Sequence, residues 1–118
     1  MAKIVITVFH GKDDPELVHI PFVVGNTALS SGHEVIIWLQ GPSVNLCRIG
    51  YTEGVVFPPY TPIRQLIEEF IAHGGKIYLL DACMKSHQIK YPDYISDAIP
   101  AGPERLIQES LDAIVFNY

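Results

Sequence analysis

The sequence predicts a three-layer α/β/α domain on a mainly parallel sheet. Short, largely apolar runs recur at positions 4–9, 35–39 and 76–80, and the β-branched run at 4–9 has the pattern of a strand buried on both faces. Segments of helical period lie between them, so successive strands are joined by right-handed crossovers. The 118 residues make about one domain of ordinary size, ~100–150 residues.

Each element has a local cause. Residues 4–9 are the first strand, and His10, Gly11 and Lys12 follow as a loop. Asp14 stands as an N-cap, Pro15 at the first helical position and Glu16 in the first turn, so a helix starts here. Leu17, Ile20, Val24 and Ala28 are its expected core face and Gly32 its stop. Pro21 removes one backbone bond inside it and predicts a kink. Residues 35–39 form the second strand, closed by Gly41 and Pro42. Ser43 is read as the cap of a short helix carrying Val44, Leu46, Cys47 and Ile49, with Gly50 as its end. Phe57, Pro58 and Pro59 make a rigid loop. Thr61 and Pro62 open the next helix, with Ile63, Leu66, Ile67, Phe70 and Ile71 facing inward and Gly74-Gly75 ending it. Residues 76–80 are the third strand and 81–92 a loop with a short helix. A short strand at 98–99, a helix at 103–111 and a strand at 113–116 complete a single flavodoxin-like domain over residues 1–118.

Composition narrows the function. A net charge of −5 with eight scattered basic residues argues against nucleic acid, whose binders carry a basic face. No apolar run approaches the roughly 20 residues that span a bilayer, so no membrane partner is expected. The N-terminal residues do not read as a signal peptide, and two cysteines without an export signal place the chain in a reducing cytoplasm without a structural disulfide. Charged residues are only 18%, below the usual quarter or so. A small domain this poor in charge is expected to cover part of its surface with a second copy.

Open α/β sheets place chemistry outside the carboxyl ends of their strands. That singles out residues 10–14, 40–43, 81–87 and 101–102. Cys83, just past the third strand, is the strongest candidate. A helical turn beginning at Met84 would aim backbone N–H groups at its sulfur, Lys85 and His87 would add positive charge, and Asp81 would oppose it. The competing reading is a small buried hydrophobe. His10 ends a central strand and is a cleft candidate, while His19, His33 and His73 read as surface or helix-end residues. Cys47 lies among apolar neighbours and reads as packing. His33-Glu34 lacks the second histidine of a zinc site, and no P-loop, dinucleotide fingerprint or nucleophilic serine elbow is present. No cofactor is called for, although a flavin held by shaped loops stays open.

Several of these residues, in order, resemble the DsrE/DsrF-like family, which has the YchN-like fold. They are residues 11–16 after the first strand, Gly32-His33-Glu34-Val35 before the second, Gly50-Tyr51, Gly74-Gly75-Lys76, and Cys83. The likeness runs from Ile4 to about Ile89. It implies a five-stranded α/β/α subunit that assembles into trimers or hexamers. Some family members carry a persulfide in a sulfur relay, on a cysteine matching Cys83, and others have no established activity. Several relatives follow that cysteine with an Arg-Gly pair, whereas this chain has His87-Gln88. The expected function is thus a sulfur carrier or sulfurtransferase-like protein exchanging sulfur with donor and acceptor proteins or small thiols. A non-enzymatic oligomeric binding module is the alternative.

Overall fold

The computed structural model describes all 118 residues. Five strands form one sheet: β1 (Lys3–Val8), β2 (Glu34–Leu39), β3 (Lys76–Leu80), β4 (Ala98–Ala101) and β5 (Ile114–Asn117). Their spatial order is β4-β3-β2-β1-β5. Every neighbouring pair is parallel, β1 running beside β2 from Lys3↔Glu34 to Val8↔Leu39 and beside β5 from Ile4↔Ile114 to Thr7↔Asn117. The helices are α1 (Pro15–Ser30), α2 (Ile63–Ala72), α3 (Asp81–Ser86) and α4 (Pro103–Ser110), with a 3₁₀ segment at Gly41–Cys47.

The two faces of the sheet are covered unequally. Ile4, Ile6, Val8, Val35, Ile37, Leu39, Ile77 and Leu79 point to one side, where they join Val18 and Phe22 of α1, Ile63, Leu66 and Phe70 of α2, and Met84 of α3 in the main core. The other side carries Val5, Ile36, Trp38 and Tyr78, packed against Leu106 of α4 and Ala113. Three layers therefore exist, but the second helical layer is one short helix.

Asp14 caps α1 as its position foretells, its Oδ1 accepting from the Leu17 N–H at 3.2 Å. The helix runs on through Pro21 to Ser30. Its buried face is not the expected one: Val18, His19, Pro21, Phe22 and Gly25 are buried, whereas Leu17, Ile20, Val24 and Ala28 are only partly so. α1 is apolar nearly all round, so periodicity leaves its orientation open and packing decides. Gly25 marks the close approach, since a Cβ there would sit 3.1 Å from the Phe70 ring and 3.2 Å from Ile37.

His19 is the second correction. Expected near the surface, it is wholly buried. Its Nδ1–H donates to the Pro15 carbonyl at 2.7 Å, and Phe57 and Tyr60 lie over its ring. Ser43 is the third: the turn begins earlier, at Gly41, and Ser43 sits inside it.

Candidate functional site

The order of the strands creates the site. The chain leaves β1, β2 and β3 on the main-core side, but leaves β4 for α4 on the opposite side. Connections diverge between β3 and β4, and at such a switch point the carboxyl edge of an open sheet forms a crevice. Cys83 in α3, directly after β3, stands there.

Cys83 is partly exposed. Its Sγ accepts a hydrogen bond from the Gly41 backbone N–H at 3.1 Å. Gly41 presents that N–H because the chain turns at φ +62° after β2, with the Phe9 ring filling the space where a Cβ would stand. Ser43 ties the turn down, its Oγ lying 2.6 Å from the Val8 carbonyl and accepting from the Gln40 N–H at 2.9 Å.

The residues around Cys83 sort by helical spacing. Positions four apart share a helix face and positions two apart do not. His87 therefore stands on the Cys83 side, and its N–H donates to the Cys83 carbonyl at 2.9 Å. Asp81 and Lys85 share the other side, so neither the opposing charge of Asp81 nor the favourable charge of Lys85 is directed at the sulfur. The His87 ring is held by Asn45, whose Nδ2 lies 3.4 Å from His87 Nδ1 and also donates to the Pro42 carbonyl at 3.1 Å. An amide donor there makes Nδ1 the acceptor and leaves the ring proton on Nε2. Arg48 Nη2 donates to the His87 carbonyl at 2.8 Å and fixes the end of α3.

His10 is engaged elsewhere. Its Nδ1 lies 2.7 Å from Asp13 Oδ2, and Asp13 Oδ1 accepts from the Gly11 N–H at 2.7 Å. The His10 hydrogen bond, then that of Gly11, holds the Asp13 carboxyl below the usual carboxylate range. β2 separates the strand before His10 from the one before Cys83. Two strand spacings are about 10 Å, so His10 and Cys83 mark two stations on one edge.

Cys47 is buried in the main core, and burial pushes its thiol up to about 12. A thiol so placed stays protonated at neutral pH. Gly41, Asn45 and Arg48 carried no functional signal in the sequence beyond the position of Gly41-Pro42 at a strand end. No group of three or more His, Cys, Asp or Glu side chains converges on a common point, and no helix is long and apolar enough to cross a membrane.

No protein-family model and no curated protein matches the sequence. Solved structures do. The YchN protein of E. coli superposes with a TM-score of 0.84 over 100% of both chains at 19% identity. MTH1491 of Methanobacterium thermoautotrophicum, described as a protein of unknown function, gives 0.80 over 100% of both chains at 9% identity. BT1422 of Bacteroides thetaiotaomicron, likewise of unknown function, gives 0.65 over 98% of this chain and 94% of its own at 15% identity. Backbones this alike with side chains this different establish an architecture and leave chemistry to the site itself. The chain has the YchN-like fold.

Proposed function

We propose that the protein is a sulfur carrier that holds a persulfide on Cys83. One observation supports this most: a partly exposed sulfur at the switch point receives a backbone N–H at 3.1 Å. In the loading step the Cys83 thiolate attacks the outer sulfur of a donor persulfide, R–S–SH. An S–S bond forms at Cys83, the donor's S–S bond breaks, and the donor leaves as a thiol carrying the proton. The persulfide left on Cys83 is anionic. For release the outer sulfur takes up a proton, and an acceptor thiol, its own proton lost to solvent, attacks that sulfur and forms the new S–S bond. Cys83 then leaves as thiolate. One S–S bond is made and one broken each time, so the exchange requires no oxidant, metal or nucleotide.

Gly41 stabilises the anionic sulfur, and His87, with its Nε2–H on the same helix face, is the side-chain donor for the outer sulfur. The donor is a protein or small-molecule persulfide and the acceptor a protein or small-molecule thiol, as in a reducing cytoplasm. The working form is a homo-oligomer joined around the β5 edge, where Ile114, Val115 and Phe116 are exposed.

Loading is tested by incubation with a persulfide donor followed by intact-mass measurement. The wild-type chain is expected to gain one sulfur atom that dithiothreitol removes, and Cys83→Ser to gain none. Equal gain by the Cys83→Ser chain would sink the proposal. No gain by either favours a binding module without turnover.

A further inference from the structure

The His10–Asp13 pair stands on the carboxyl edge of the sheet and takes no part in the loading of Cys83. It is built more firmly than an ordinary surface ion pair. Both carboxylate oxygens of Asp13 are engaged, Oδ2 with His10 Nδ1 at 2.7 Å and Oδ1 with the Gly11 N–H at 2.7 Å. Gly11 is itself wedged, since a Cβ there would fall 2.6 Å from Tyr51 Oη and 3.1 Å from the Pro42 carbonyl oxygen. The Lys12 N–H donates to the same Tyr51 oxygen at 2.8 Å. The loop after β1 is thus fitted against the turn after β2 that holds Gly41.

An ionised carboxylate can only accept, so Asp13 fixes the His10 proton on Nδ1 and leaves the Nε2 lone pair to take another. The His10 side chain is 33% exposed. One ring joins it to Cys83. Phe9 meets the His10 ring edge-on with centroids 5.6 Å apart, and the same Phe9 ring fills the space beside Gly41, whose N–H reaches Cys83 Sγ at 3.1 Å. Phe9 is 49% exposed, so an apolar surface open to solvent lies between the two stations. In a transfer, the outer sulfur stands about 2 Å from Sγ, the attacking sulfur about 3–3.5 Å farther on, and a base about 3 Å beyond that. Such a row of atoms spans about 8 Å, the same order as the two strand spacings, about 10 Å, between the stations.

We propose that His10 is the base that takes the proton of the acceptor thiol, with Asp13 as its positioning residue. This rests on the persulfide reading of Cys83. The acceptor, R–SH, lies over Phe9 and passes its proton to His10 Nε2. Its thiolate attacks the protonated outer sulfur. An S–S bond forms to the acceptor, the S–S bond at Cys83 breaks, and the electron pair leaves on Cys83 Sγ. The imidazolium, held beside the Asp13 carboxylate, then returns its proton to solvent.

The test is discharge of the full-length protein preloaded with one sulfur on Cys83, its loss followed by intact mass at neutral pH. Two acceptors are compared: 2-mercaptoethanol, which is largely protonated there, and thionitrobenzoate, which is already ionised. His10→Gln should slow discharge to 2-mercaptoethanol about a hundredfold and Asp13→Asn about tenfold, each changing discharge to thionitrobenzoate by less than about twofold. Both variants should load sulfur as the natural chain does. Imidazole added to the buffer should restore the discharge of His10→Ala to 2-mercaptoethanol. Equal slowing with both acceptors would assign His10 a structural role, and unchanged discharge to 2-mercaptoethanol would leave the proton to solvent alone. Either result overturns the proposal while Cys83 remains the carrier, whereas a natural chain that never loads sulfur overturns both.

Discussion

At Gly41 the backbone and a neighbouring ring leave no room for a Cβ. The φ of +62° is a conformation that an L-residue adopts at a cost of about 1–2 kcal/mol, and a Cβ would fall within 3 Å of three Phe9 ring atoms. Gly41→Ala should therefore cost about 1–3 kcal/mol in urea unfolding. It should also slow alkylation of Cys83, because the N–H that reaches Sγ is re-aimed. The two readouts separate roles: lost stability with unchanged alkylation would mean that Gly41 serves the turn and not the thiol. Cys47 supplies the internal contrast, since burial in hydrocarbon raises its thiol and denies it the same chemistry.

Among the helices, α4 is held least by apolar burial, none of its eight residues being fully buried. Polar contacts hold it instead. Glu109 accepts from Lys3 Nζ at 2.8 Å and from the Tyr78 hydroxyl at 3.2 Å. The Lys3 hydrogen bond keeps the Glu109 carboxyl below its ordinary 4.5, and the same bond raises Lys3 above 10.5. Burial, then Glu109, raises Tyr78. A lowered carboxylate contributes stability above its unfolded value and loses it as pH falls through the folded one. A raised lysine contributes below its unfolded value and loses it as pH rises through the folded one. The Lys3–Glu109 attachment of α4 is thus complete between about pH 4.5 and 10.5 and fades outside that window. Trp38, the single tryptophan, lies in the cluster under α4. Its emission should begin to shift below about pH 4.5, while Glu109→Gln should cost about 1–2 kcal/mol at neutral pH and remove that acid limb.

For the molecule as a whole, the two sheet edges differ. β4 carries Pro100, which cannot donate to another strand, so that edge is blunted. β5 pairs only with β1 and holds no proline or charge. Ile114 and Phe116 are 53% and 41% exposed on the main-core side of the edge, and Ile107 and Leu111 of the α4 segment are 62% and 80% exposed. An open edge flanked by aliphatic and aromatic side chains is a liability unless another chain covers it. The proposed oligomer would cover it with a second copy. Light scattering on a sizing column should show an assembly for the natural chain and a smaller species for Leu111→Lys with Phe116→Lys. A natural chain that elutes as a monomer would remove the oligomeric part of the proposal.

Much of this was legible in the residues themselves. Apolar runs, the Asp14-Pro15 start and the Gly74-Gly75 stop are local causes, so the main strands and helices fall near where the chain alone places them, whereas the turn expected at Met84 begins at Asp81 and takes Cys83 into the helix. Cys83 was legible too, because a residue just after a buried strand of a parallel sheet lies at its carboxyl edge. Contacts between distant segments decided the rest. The face that α1 buries depended on fitting Gly25 against Phe70, and the fate of His19 on Phe57 and Tyr60 closing over it. Gly41 meets Cys83 across 42 residues of chain, and Asn45 and Arg48 reach His87 from similar distances. Local pattern fixes the direction of a strand or helix, whereas which side chains meet follows from strand order and packing, settled only when the whole sheet assembles.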